Sequence, residues 1–153
     1  MKIAIDDGDD GSIDAIRTFA YDAQGRLTLE TTDDDADGNV DLQATWAWAA
    51  DGLSVVISYA KDTVTDVVTR EFDADGRVIA EASEGVNDWR RETTYDDAGN
   101  VTSGRQDNDG DGDWDYTYTN TYNDAGRLAA WAYDANGDGG IDGSATRTYT
   151  CGG

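Results

Sequence analysis

Histidine and proline are absent from this sequence, cysteine occurs once, and the 11 lysines and arginines face 33 aspartates and glutamates. Each shortage excludes something. With no His and with Cys151 as the only thiol, neither a His/Cys metal centre nor a disulfide framework can form within the chain. No apolar run approaches the roughly 18 residues needed to cross a bilayer, and the amino terminus has no basic, apolar and small-residue series, so membrane insertion is not expected. A net charge of −22 makes nucleic acid a poor partner, because phosphate would be repelled rather than neutralised. The lack of proline leaves strands uninterrupted.

What remains is acid, glycine and small or aromatic apolar residues. Only 38% of the 153 residues are apolar, and most of those are Ala, Val or aromatic. Spread evenly, such a composition would predict disorder. The acid is not spread: it collects in clusters at 6–14, 33–41, 107–115 and 134–142. Clustering at fixed phase implies a cationic partner at each cluster.

The clusters sit within a repeat of about 25 residues. Gly25, Gly52, Gly76, Gly99 and Gly126 lie in the settings "YDAQGRL", "WAADGLS", "FDADGRV", "YDDAGNV" and "YNDAGRL". Between them, Asp14, Asp41, Asp66, Asp88, Asp115 and Asp142 are each followed six or seven residues later by an aromatic: Tyr21, Trp48, Phe72, Tyr95, Tyr122, Tyr149. The connecting segments, such as "LQATWAW", "SVVISY" and "DYTYTNTY", alternate with period two and carry β-branched and aromatic residues. The pattern predicts a single all-β domain over 1–153. It consists of about twelve strands in six antiparallel hairpin units, an open, twisted or spiralling meander with glycine turns on one edge and acidic loops on the other. One face gathers Phe19, Tyr21, Trp46, Trp48, Phe72, Tyr95, Tyr116, Tyr118 and Tyr122; the other gathers Thr18, Ala20, Thr45, Ala47, Thr119 and Thr121.

The stretches "TFAYDAQGRLTLET", "TTYDDAGNVTS" and "NTYNDAGRLAA" resemble the YD repeats of Rhs and teneurin-type proteins. That resemblance implies a spiralling antiparallel sheet acting as a shell or scaffold. The inserted acidic loops depart from the family pattern.

Three loops share the spacing DxDxDGxxD, with Asn allowed at the third position: "DDDADGNVD", "DNDGDGDWD" and "DANGDGGID". A hard cation such as Ca²⁺ takes six to eight oxygens, and side chains at positions 1, 3 and 5 can converge on it where a glycine at position 6 turns the chain sharply. Position 7 then offers a carbonyl and position 9 closes the shell. The expected sites are Asp33, Asp35, Asp37 and Asp41 with the Asn39 carbonyl; Asp107, Asp109, Asp111 and Asp115 with that of Asp113; and Asp134, Asn136, Asp138 and Asp142 with that of Gly140. A fourth, weaker site is expected at Asp6, Asp10 and Asp14 with Ser12 in the carbonyl position, since Gly8 offers no side-chain oxygen and water, Asp7 or Asp9 must replace it. An EF-hand would need Glu at position 12, where Ala44, Tyr118 and Ala145 stand. The loops are instead similar to the calcium hairpins of integrin-type β-propellers. The two middle loops lack the acidic series and are expected to be metal-free. Without metal, each close pair of like charges in such a loop would cost about 1 kcal/mol even in water.

No singular nucleophile, base or open metal position stands out, so an enzyme is not expected. The reading is a calcium-stabilised structural protein outside the cell, a fibre subunit or segment. The ends support it: "YTCGG" aligns with "YDAQG" and "MKIAI" with the strand that follows such a turn, so copies could join head to tail, with Cys151 available to link them. Alternatives are an adhesive face for glycans or ice, or a fragment of an Rhs-like toxin shell.

Overall fold

A computed structural model describes residues 1–7, 11–61, 64–85 and 88–149. It contains the strands β1 (Lys2–Ile5), β2 (Ala15–Tyr21), β3 (Leu27–Asp33), β4 (Leu42–Trp48), β5 (Ser54–Lys61), β6 (Val64–Phe72), β7 (Val78–Glu84), β8 (Trp89–Tyr95), β9 (Val101–Asp107), β10 (Tyr116–Tyr122), β11 (Leu128–Asp134) and β12 (Gly143–Thr146). They form one antiparallel sheet in sequence order, open between β1 and β12. Among the described residues each strand packs only against its sequence neighbours. The expected all-β meander is therefore what forms, and it is one layer thick.

A single layer explains the accessible surface of 9963 Å², against the roughly 7,500 Å² of a compact monomer of this mass. Only Ala44, Val55 and Ile57 are buried apolar residues among those described. All three stand on the aromatic face, in rows set by register: Trp46 opposite Ile57, Trp48 opposite Val55, Ala44 opposite Tyr59. Stacked rings continue this cover at Trp48–Phe72, Tyr116–Tyr133 and Trp131–Tyr133, with centroids 5.5–6.0 Å apart. The opposite face leaves Thr18, Ala20, Ala47, Thr119 and Thr121 exposed, so the two faces sort as their alternation predicts.

In the middle of the sheet an ion row takes over from apolar packing. Arg70, Glu81 and Arg91 stand opposite one another on β6, β7 and β8. Glu81 is only 4% exposed, and its two carboxylate oxygens accept from Arg70 and Arg91 respectively. A carboxylate this buried is tolerable only because both oxygens are paired.

The glycine edge is built from one repeated device. At 22–26 the Asp22 carboxylate accepts the backbone N–H groups of Gln24 and Arg26 and the Arg26 Nε–H, while Gly25 takes φ +79°. Only glycine adopts that backbone at low cost. Asp73 and Asp96 repeat the arrangement toward Arg77 and Asn100, and Asn123 repeats its two backbone contacts. These four turns each carry a register shift in the ladder beside them. The turn at 49–53 starts with Ala49 in place of Asp, and its ladder runs without a shift.

Successive turns are clasped to each other. Four of the recurring aromatics donate back to the carbonyl just after the previous turn: Trp48 Nε1 to Leu27, Tyr95 Oη to Val78, Tyr122 Oη to Val101 and Tyr149 Oη to Leu128, all at 2.9–3.0 Å. In the other direction Arg26, Arg77 and Arg127 lie over the rings of Trp48, Tyr95 and Tyr149. At Tyr95-Asp96 the dipeptide thus has two jobs: Tyr95 ties its unit to the one before it, and Asp96 closes its own turn.

Two outcomes test these contacts. Tyr95→Phe should lower stability by about 1 kcal/mol in urea melts, since it removes the hydroxyl donor to the Val78 carbonyl, and Tyr122→Phe by less, since Asn120 Nδ2 still donates to the Val101 carbonyl. Tyr21→Phe, at a ring 49% exposed with no turn ahead of it in the described chain, should be neutral. The second outcome concerns acid. The Arg77 backbone N–H, ahead of its guanidinium, holds the Asp73 carboxyl below the usual range, and the Asn100 side chain does so for Asp96. Depressed folded-state values mean that this stability is present above about pH 4 and lost as pH falls through them. The double variant Asp73→Asn, Asp96→Asn should therefore be less stable than the parent at pH 6 and equal to it near pH 2.

Candidate metal centres

Four loops on the opposite edge share one hydrogen-bonded frame. The N–H of position 6 donates to the carboxylate of position 1: Gly11 to Asp6, Gly38 to Asp33, Gly112 to Asp107 and Gly139 to Asp134, at 2.8–3.2 Å. The N–H of position 2 donates to the carboxylate of position 9: Asp7 to Asp14, Asp34 to Asp41, Asn108 to Asp115 and Ala135 to Asp142, at 2.6–2.7 Å. Position 9 then closes the loop through its own N–H, to the carbonyls of Ile5, Thr32, Gln106 and Tyr133. The acidic residues thus hold their own loop through backbone N–H groups.

The structure brings together the carboxylates of Asp33, Asp35 and Asp37, with oxygens within 4.8 Å of one another, and likewise those of Asp107, Asp109 and Asp115. Oxygens bound to one Ca²⁺ at 2.3–2.6 Å fall within this separation. Asp41 and Asp111 stand outside these trios, their carboxylates accepting from Asp34 and Asp113. The backbone N–H of Asn39, then its side-chain amide, keeps the Asp37 carboxyl below the usual carboxylate range and so ionised. At 134–142 Asn136 occupies position 3 and donates to Asp138, so this loop offers fewer anions. At 6–14, Asp6, Ser12 and Asp14 are placed, whereas Asp10 lies outside the described residues, as does Cys151.

Two first-position oxygens stand out, Asp6 Oδ1 in loop 6–14 and Asp33 Oδ1 in loop 33–41. Asp33 is 7% exposed, and its Oδ1 is buried with no hydrogen-bond partner. The equivalent Oδ1 atoms of Asp107 and Asp134 each accept from position 4, Gly110 and Gly137, at 2.8 Å. Among the described residues no lysine or arginine pairs with Asp33, Asp35 or Asp37. An unpaired buried carboxylate oxygen costs more than the 1–3 kcal/mol of a neutral group. It fits a ligand cation, and an all-oxygen donor set fits a hard one.

Position 4 was not legible from the acidic spacing. It takes a left-handed backbone in three loops: Ala36 at φ 56°, Gly110 at 72° and Gly137 at 68°. A Cβ on Gly137 would also lie 1.6 Å from the Trp114 carbonyl oxygen, because neighbouring acidic loops abut. The doubled "GDG" in two loops was the available signal.

No protein-family model matches the chain, and a search of curated proteins finds no relative. The centres are therefore read from their own chemistry. Ala36→Gly should raise stability by about 0.5–1 kcal/mol, relieving the left-handed strain less the entropy glycine adds to the unfolded chain. Gly137→Ala should lower it by about 3 kcal/mol. Urea unfolding of both variants checks the pair.

Proposed function

We propose that the protein is a calcium-stabilised structural β-repeat of the YD type, acting outside the cell as a segment or subunit of a fibre. The observation that carries the reading is the buried, unpartnered Oδ1 of Asp33 beside the carboxylates of Asp35 and Asp37, with no lysine or arginine paired to them among the described residues. Asp33, Asp35 and Asp37, and in turn Asp107, Asp109 and Asp115, would hold the ion, and the ion would supply positive charge to these carboxylates. Extracellular calcium near millimolar levels suits loops of this type.

The fibre part of the reading rests on the single layer. β1 and β12 each have one hydrogen-bonded neighbour, and each exposes the half of a ladder that its counterpart would complete. Growth at such edges continues the same two alternating interfaces without closing, whether the next strand comes from a second copy or from further repeats.

Calorimetric melting across a calcium titration tests the reading. A site at a hundredfold its Kd contributes about 2.7 kcal/mol, or roughly 5–10 °C in Tm for a chain of this length. Equal Tm values in EDTA and in 10 mM calcium would overturn it. Electron microscopy of the same samples should show filaments with calcium and shorter or no filaments in EDTA; monomers in both would remove the fibre part and leave the calcium part standing.

A further inference from the structure

The acidic loops share a frame, but they do not share their surroundings. In three of the four loops the first aspartate ends an odd-numbered strand, and a residue of the preceding strand stands directly across the ladder from it. Across from Asp33 that residue is Ile16, across from Asp107 it is Arg90, and across from Asp134 it is Thr117. Only one of the three is a cation.

Arg90 is bound into the loop that it faces. Its Nε donates to Asp107 Oδ2 at 3.0 Å, and another of its nitrogens donates to the Gly112 carbonyl. Its guanidinium lies 4.2 Å from the ring centroid of Trp114 at position 8 of the same loop, and Arg105, tied to Glu92, lies 4.2 Å from the same centroid. Asp107 is 1% exposed and has both oxygens satisfied. At 33–41 the equivalent aspartate is 7% exposed with one oxygen unpartnered, and its cross-strand neighbour is apolar. A guanidinium already paired with the buried first carboxylate must move aside, or be repelled, before a divalent ion can use that oxygen.

We propose that the residue across the ladder from the first aspartate sets each loop's demand for a divalent ion. Arg90 is the internal counter-cation of loop 107–115, and of these three loops 33–41 is the one a divalent ion fills first. This rests on the divalent-ion reading above and adds an order of filling and the residue that decides it.

The test uses the full chain and two complementary substitutions. Arg90→Thr gives loop 107–115 the neighbour found at 134–142; Ile16→Arg gives loop 33–41 the neighbour found at 107–115. Terbium, an oxygen-seeking stand-in for calcium, is titrated while exciting tryptophan, and the part of the emission that Trp114→Phe abolishes reports loop 107–115. Calcium calorimetry counts the classes of site. In Arg90→Thr the Trp114-sensitised emission should reach half-saturation at roughly ten-fold lower terbium, and Tm in EDTA should fall while Tm in calcium holds. In Ile16→Arg one calcium class should weaken by a similar factor, and Tm in EDTA should rise. An emission midpoint that stays put or moves upward in Arg90→Thr, or calcium classes all untouched by Ile16→Arg, overturns the proposal while the divalent-ion reading stands. Should Arg90→Thr fail to fold even in calcium, Ile16→Arg decides alone, since it adds a charge pair and removes none. No ion uptake by the parent chain would sink both readings together.

Discussion

Every strand of a one-layer sheet can be covered only from the side. With no second sheet or helix against either face, a side chain is shielded by the residues opposite it on the two adjacent strands and by little else. Backbone ladders supply continuity, but sheets normally gain their stability from a buried face. This chain buries almost none, and the rest of its structure answers that constraint with lateral contacts between consecutive units.

Those contacts differ along the sheet. On the glycine edge, a carboxylate closes three of the turns from within, and an aromatic and an arginine reach to neighbouring turns, so that Arg77 touches its own Asp73, the Tyr95 ring and the Asp96 carbonyl. In the centre, where the loops on the other edge are short, arginine is the cation: Arg70 and Arg91 flank Glu81, and Arg105 meets Glu92. Toward the ends, where acidic loops replace the short links, the anions outnumber the arginines within reach. The same electrostatic problem is met by guanidinium groups in the middle and, in the function proposed, by divalent ions at the flanks. Loop 107–115 lies at the boundary between the two regimes and carries Arg90 from the central side.

The abutting loops make the acidic edge more than a row of separate tips. Gly137 accommodates the Trp114 carbonyl, and Gly110 packs against Asp88 of the preceding short link. Order in one loop therefore constrains the next, just as the aromatic latches do on the other edge. A sheet made this way behaves as a one-dimensional stack in which nearest-neighbour contacts carry the stability.

Periodicity was legible without coordinates because it is local: strand alternation, glycine turns, the two chemically different edges and the placement of aromatics against Thr and Ala all follow from side-chain period and turn chemistry. The acidic spacing likewise marked the loops, and the trios at Asp33 and Asp107 fall within two of them. What the chain alone could not show is which atoms end up beside one another across strands. That Arg90 faces Asp107 while Ile16 faces Asp33, that Asp33 is left with an unpartnered oxygen, and that Glu81 sits between two arginines are consequences of register. Register is set by the turns between the strands, so residues 17 apart in sequence meet only once the hairpins have closed.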